Sequence, residues 1–161
     1  MRKTLVVALS LSALFVGGSA VWVSAASAIT APEHFTLVGP DTEEANIDLG
    51  DPGPSLGDQF VFSGPLNGAG RVESGRVDGH CIVTSNPVPS HQERQQCFVT
   101  ATIGTENGET EIEMTGVGRI EAEDVGFAVT GGTGKYANVR GQVVVDYTDE
   151  RGIKLKFNLI P

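Results

Sequence analysis

The chain has 161 residues, 20 acidic against 11 basic side chains, a formal net charge of −9, and two cysteines. That charge repels nucleic acid and anionic membrane surfaces, so neither is expected as a partner. The length suits one domain rather than several.

At the N-terminus, Arg2 and Lys3 precede an apolar run from Leu5 to Val23 and the small-x-small tripeptide Ala26-Ser27-Ala28. This order predicts a secretory signal peptide over residues 1–28. The run is almost long enough to span a bilayer, so an uncleaved anchor is the alternative. Gly17 and Gly18 weaken its helix, and the tripeptide favours cleavage after Ala28. A secreted, extracellular domain over residues 29–161 is expected, with no membrane insertion after cleavage. The only tryptophan, Trp22, leaves with the signal peptide.

Beyond residue 30 the apolar residues recur at period two between closely spaced turns, the pattern of antiparallel strands. In chain order the predicted strands are Phe35–Val38, Ala45–Leu49, Gln59–Phe62, Arg71–Thr84 and Gln96–Ile103, a run around Ile112 and Met114, then Val125–Thr130, Gln142–Tyr147 and Ile153–Ile160. The last is the clearest: Ile153, Leu155, Phe157 and Leu159 alternate with Lys154, Lys156 and Asn158, so one face is buried and the other wet. Asn107-Gly108 is a strong hairpin signal, and Asn67-Gly68 and Asp149–Gly152 read as further turns. Thr30–Glu33, the Gly50–Gly57 loop and the Thr84–Arg94 loop read as loosely organised. Strands this numerous and this close avoid exposed edges by closing a barrel or by pairing two sheets.

Cys81 and Cys97 make an even count in an exported chain, so a disulfide is the default expectation. It would contribute about 3 kcal/mol by chain-entropy reasoning. A reactive thiol or metal ligand is the alternative, but no CxxC or Cys/His cluster supports it. His34, His80 and His91 have no ligand spacing and read as surface or turn residues. No metal is expected.

Phe127 to Tyr136, reading Phe-Ala-Val-Thr-Gly-Gly-Thr-Gly-Lys-Tyr, runs into Val139-Arg140-Gly141-Gln142-Val143. With Ser55-Leu56-Gly57-Asp58 ahead of Gln59–Phe62, and Gly79-His80-Cys81-Ile82-Val83, it resembles the allene oxide cyclase and dirigent protein superfamily over roughly residues 47–157. The resemblance implies a closed eight-stranded antiparallel β-barrel whose signature turn is Gly131, Gly132, Thr133 and Gly134. A phosphate-loop reading of these glycines fails for want of a Lys-Ser/Thr ending and a following helix.

The resemblance also implies a hydrophobic cavity that binds a small molecule and controls its cyclisation or coupling without a cofactor. Confinement of the substrate is then the main lever. Residue by residue the family's polar groups transfer poorly. Asn46 and Asp48 fall near the cyclases' first-strand glutamate and asparagine. Gly64 stands where the cyclases carry an asparagine, and Ser63-Gly64-Pro65-Leu66 replaces the dirigent Asp-Asp-Pro-Leu. Cys81 falls on a cyclase pocket cysteine.

Polar residues on apolar strand faces are the remaining candidates, since parity alone does not say which face is inward. The catalytic candidates are Asn46, Asp48, Asp146 and Tyr147. The ligand-binding candidates are Phe60, Phe62, Thr100, Met114 and Phe157. The expected function is binding of a hydrophobic small molecule, with cofactor-free cyclisation or isomerisation. A noncatalytic carrier or scavenger, or a partner-binding surface protein, is the alternative. The charged outer positions Glu111, Glu113, Lys154 and Lys156 favour a monomer.

Overall fold

The computed structural model describes residues 28–68, 74–85, 93–105, 108–119, 122–150 and 152–161. The signal-peptide expectation, His91, Asn107 and most of the Thr84–Arg94 loop lie outside them. The described strands are β1 (Glu33–Gly39), β2 (Glu43–Ile47), β3 (Gln59–Gly68), β4 (Gly75–Ser85), β5 (Arg94–Thr105), β6 (Gly108–Arg119), β7 (Asp124–Gly132), β8 (Arg140–Asp146) and β9 (Ile153–Ile160), with one short 3-10 turn at Gly134–Tyr136.

Each strand from β3 to β9 pairs antiparallel with the next, and β1 joins β9 on one side and β3 on the other, closing the sheet. β1 and β2 form one barrel strand broken at Pro40–Thr42. Leu37 lies opposite Gly68 and Glu43 opposite Ser63, so six steps on one strand match five on its partner. This is a bulge, helped by a proline that cannot donate to a ladder. The result is the expected closed eight-stranded barrel. Gly64 lies under the break: a Cβ there would stand 2.5 Å from the Asp41 carbonyl oxygen. The position has no room for the longer side chains the families carry.

Most predicted strands are longer in the structure because hairpin ladders extend past their apolar cores. Two expectations are corrected. Asn67 and Gly68 do not form a turn but end β3, where they pair with Val38 and Leu37 to close the barrel. Neighbouring sequence cannot reveal a partner from the start of the chain. The second strand runs 43–47 rather than 45–49, because its pairing is set by β3 and not by its own exposed residues. Asp149–Gly152 is the turn expected, with the Gly152 amide donating to the Asp149 carbonyl at 3.1 Å and φ of +115°.

The interior divides across the barrel axis. At one end Leu37, Leu66, Ala101, Ile103, Ile112, Val143, Phe157 and Leu159 are buried to 2% exposure or less. Phe35 stacks on Phe157 at 4.6 Å between centroids. The signature turn folds over this end and places Tyr136 in the core. Gly132 is required there, since a Cβ would meet the Glu111 carbonyl oxygen at 2.2 Å. Ile29 is buried in the same cluster, its amide donating to the Lys135 carbonyl at 3.1 Å. Ile160, at the end of β9, pairs with Arg140 at this sealed end.

Candidate functional site

The other end is open. A cavity of about 390 Å³ enters the barrel there. Its walls are the inward faces of β3 to β9: Phe60 and Phe62 from β3, Val77 and Cys81 from β4, Cys97 and Val99 from β5, and Met114 from β6. Val125 and Phe127 from β7, Val145 from β8, and Ile153 and Leu155 from β9 complete them. Polar side chains stand among the lining residues at Thr42, Glu44, Gln95, Arg119 and Tyr147, with Glu44, Gln95 and Arg119 on strands, Thr42 in the break before β2 and Tyr147 just after β8. An apolar chamber with a few polar groups at its entrance is the usual build of a small-molecule site.

Local sequence explains each wall. In β5, Cys97, Val99, Ala101 and Ile103 share one face by alternation, and Ala101 begins the packed half. The Cys81–Cys97 disulfide joins directly opposed residues of β4 and β5. It forms part of the cavity wall, and both cysteines are buried. Opposed cross-strand residues hold their Cβ atoms close, which suits the bridge.

At the entrance, Thr42 Oγ1 donates to Glu44 Oε1 at 2.8 Å. Tyr147 directly follows β8, and its amide donates to the Glu123 carbonyl at 3.0 Å. It is 52% exposed. Burial of part of the ring and the Glu44 carboxylate both push its phenol above the ordinary value of 10. At neutral pH it is a neutral hydroxyl able to donate.

The sequence candidates separate by position. Phe60, Phe62, Met114 and Tyr147 line the cavity. Phe157 faces inward but belongs to the packed half, 1% exposed under Phe35. Thr100 points out of the barrel, beside the stacked His80 and Phe98 rings on the outer surface. Asp146 also stands apart from the lining. It accepts from Lys156 Nζ at 2.8 Å and from the Thr148 amide and hydroxyl. These bonds, led by Lys156, hold its carboxyl well below the usual range.

Asn46 and Asp48 border a neighbouring groove between β2, the 48–58 loop and the start of β5, which shares Phe60 and Gln95 with the cavity. Asp48 is engaged in its loop by the Gly53 amide at 3.1 Å. The buried Glu93 borders the same groove and accepts from Gln95 Nε2 at 3.1 Å. Asp58 braces this loop, taking the Leu49 and Ser55 amides at 2.9 and 2.7 Å, which lower its carboxyl. Glu44, Gln95 and Arg119 were missed from sequence. Gln95 shares the parity of Cys97 and Val99, a usable signal; Glu44 and Arg119 look like ordinary solvated charges.

Among the described residues no group of three or more His, Cys, Asp or Glu side chains is placed to hold a metal, and no described helix is long and apolar enough to cross a membrane. Fold and site together define a closed antiparallel barrel with one sealed end and an apolar cavity opening at the other.

Solved structures share this architecture. A pyocyanin demethylase is 28% identical, with a TM-score of 0.66 over 80% of this chain and 100% of its own. Two pterocarpan synthase dirigent proteins, 16% and 18% identical, superimpose with TM-scores of 0.57 and 0.53. They cover 94% and 80% of this chain, and 94% and 91% of their own. No protein-family profile and no curated protein sequence matches. The fold is that of the allene oxide cyclase and dirigent-like β-barrel superfamily.

Proposed function

We propose that the protein binds a small, largely apolar molecule in the open-end cavity and steers its isomerisation or cyclisation by confinement, without a cofactor. The observation that carries this reading is the cavity itself: about 390 Å³, walled by aromatic and aliphatic side chains, with Glu44, Gln95, Arg119 and Tyr147 near its entrance. Holding a flexible molecule in one reactive shape lowers a barrier without strong acid or base groups. The likeness to a protein named as a pyocyanin demethylase supports the same reading. The buried disulfide and the N-terminal pattern support export to an oxidising compartment.

Uptake of N-phenylnaphthylamine, a neutral dye that brightens in apolar surroundings, tests the site. Saturable binding that is lost in Val99→Phe is expected. Absence of binding, or binding indifferent to Val99→Phe, overturns the reading. Native mass spectrometry of protein from its own culture medium then identifies the natural occupant. A bound molecule released unchanged, with no turnover of it by the protein, would assign the role of carrier.

A further inference from the structure

β2 is the one described strand segment of the barrel wall that pairs on a single side: it bonds β3, while β9 begins only at Ile153, opposite Gly39. Past Gly39 the described residues form no ladder on that side of β2, and Tyr147 and Ile153 stand with Thr42 and Glu44 in the cavity lining. Glu44 comes from β2, opposite Phe62, and Tyr147 directly follows β8, in phase with the inward Val143 and Val145. Both line the same cavity. No described residue hydrogen-bonds to the Tyr147 hydroxyl, whereas Glu44 is oriented by Thr42.

We propose that Glu44 and Tyr147 act as a base and an acid that move a proton along a carbonyl-bearing ligand held in the cavity. This inference rests on the binding reading above and names the chemistry of that site. The substrate class is an apolar β,γ-unsaturated ketone, with an acidic C–H between its carbonyl and its C=C bond. The Glu44 carboxylate takes that proton, the C–H electron pair becomes a C=C bond, and the carbonyl oxygen takes the Tyr147 proton. Glu44 then delivers its proton to the far carbon of the conjugated enol, the C=O re-forms, and the hydroxyl proton returns to Tyr147. Nothing is oxidised and no co-reactant enters.

The electrostatics fit this division of roles. The phenol is kept protonated by partial burial and by Glu44. The Glu44 carboxylate is held in place by the Thr42 hydroxyl at the cavity entrance. Arg119, from the end of β6, is the other charged side chain among the lining residues, and it favours the negative charge that develops on the ligand oxygen.

The test uses the β,γ-unsaturated isomer of cyclohexenone, whose conversion to the conjugated enone is followed by ultraviolet absorbance. The wild-type protein is expected to accelerate it over buffer. Glu44→Gln and Tyr147→Phe should each lower the rate at saturating substrate about 100-fold, the usual size of a general acid or base effect, a loss far larger than any change in dye affinity. Glu44→Asp should recover part of the loss. Ultraviolet titration should show the Tyr147 phenol ionising at lower pH in Glu44→Gln. Dye uptake without acceleration, or acceleration indifferent to both substitutions, overturns the pair while leaving the cavity standing. Failure of dye uptake overturns both.

Discussion

The sealed and open halves of the barrel are built from the same eight strands, yet they treat equivalent positions differently. Val99 and Ala101 are neighbours on the inward face of β5. Val99 borders empty space at 7% exposure, and Ala101 is packed to 0%. In the sealed half, stacked phenylalanines and a folded-over turn fill the interior. In the open half, inward residues line a space they do not fill. Stability and ligand capacity are therefore assigned to opposite ends of one continuous sheet.

Substitutions should expose that asymmetry. Phe157→Ala, which empties a closed site, is expected to cost about 3–5 kcal/mol by denaturant unfolding. Phe60→Ala, which enlarges an existing opening, should cost clearly less. Equal losses would mean that the halves are not mechanically distinct. Removing the disulfide with Cys81→Ala and Cys97→Ala should cost about 3 kcal/mol, read as a lower Tm with an unchanged far-ultraviolet circular dichroism spectrum. Free-thiol titration finding two accessible thiols in the wild-type protein would refute the bridge itself.

A sharper comparison places the same side chain on both sides of the boundary. Ala101→Phe overpacks the sealed half and is expected to destabilise by roughly 1–3 kcal/mol. Val99→Phe has room to enter the cavity and should leave stability within about 1 kcal/mol, inside the range for tolerated hydrophobic changes. Similar stabilities for the two variants would contradict the boundary at this point.

The smallest effect concerns pH. Asp58 and Asp146 have carboxyls lowered by hydrogen bonds in the folded chain. Lowered values stabilise the fold above the ordinary aspartate range and lose that contribution as pH falls through the folded-state values. Tm should therefore fall on acidification below about pH 4, the unfolded aspartate range. The fall should be shallower in Asp58→Asn and Asp146→Asn, and identical profiles in wild type and variants would show that these bonds are energetically silent.

Much of this division was only half legible in the sequence. Alternation in Ile153–Ile160 correctly sets Leu155, Phe157 and Leu159 on one face, but period two carries no information about height along the barrel axis. Phe157 and Phe60 thus look alike in sequence, though one is sealed and the other borders the cavity. Thr100 fails for the complementary reason, since its parity puts it outside beside Phe98. The glycine turn and the cysteine pair were readable because each imposes a local requirement, tight backbone approach or oxidation in pairs. Glu44 and Arg119 were not, because a charge at a barrel mouth becomes part of a site only after distant strands close around it. Asn67-Gly68 misled as a turn because the closing contact with β1 is about thirty residues away in sequence.

The placement of Ile29 and Ile160 at the sealed end has a practical meaning for how the molecule presents itself. Residues 29 and 160 both lie at the pole opposite the entrance. A tether at either one, whether a surface, a bead or a fused protein, would hold the barrel like a cup by its base, with the rim turned toward the surrounding medium. Protein linked through either of these two ends of the barrel should accordingly retain access to its chamber.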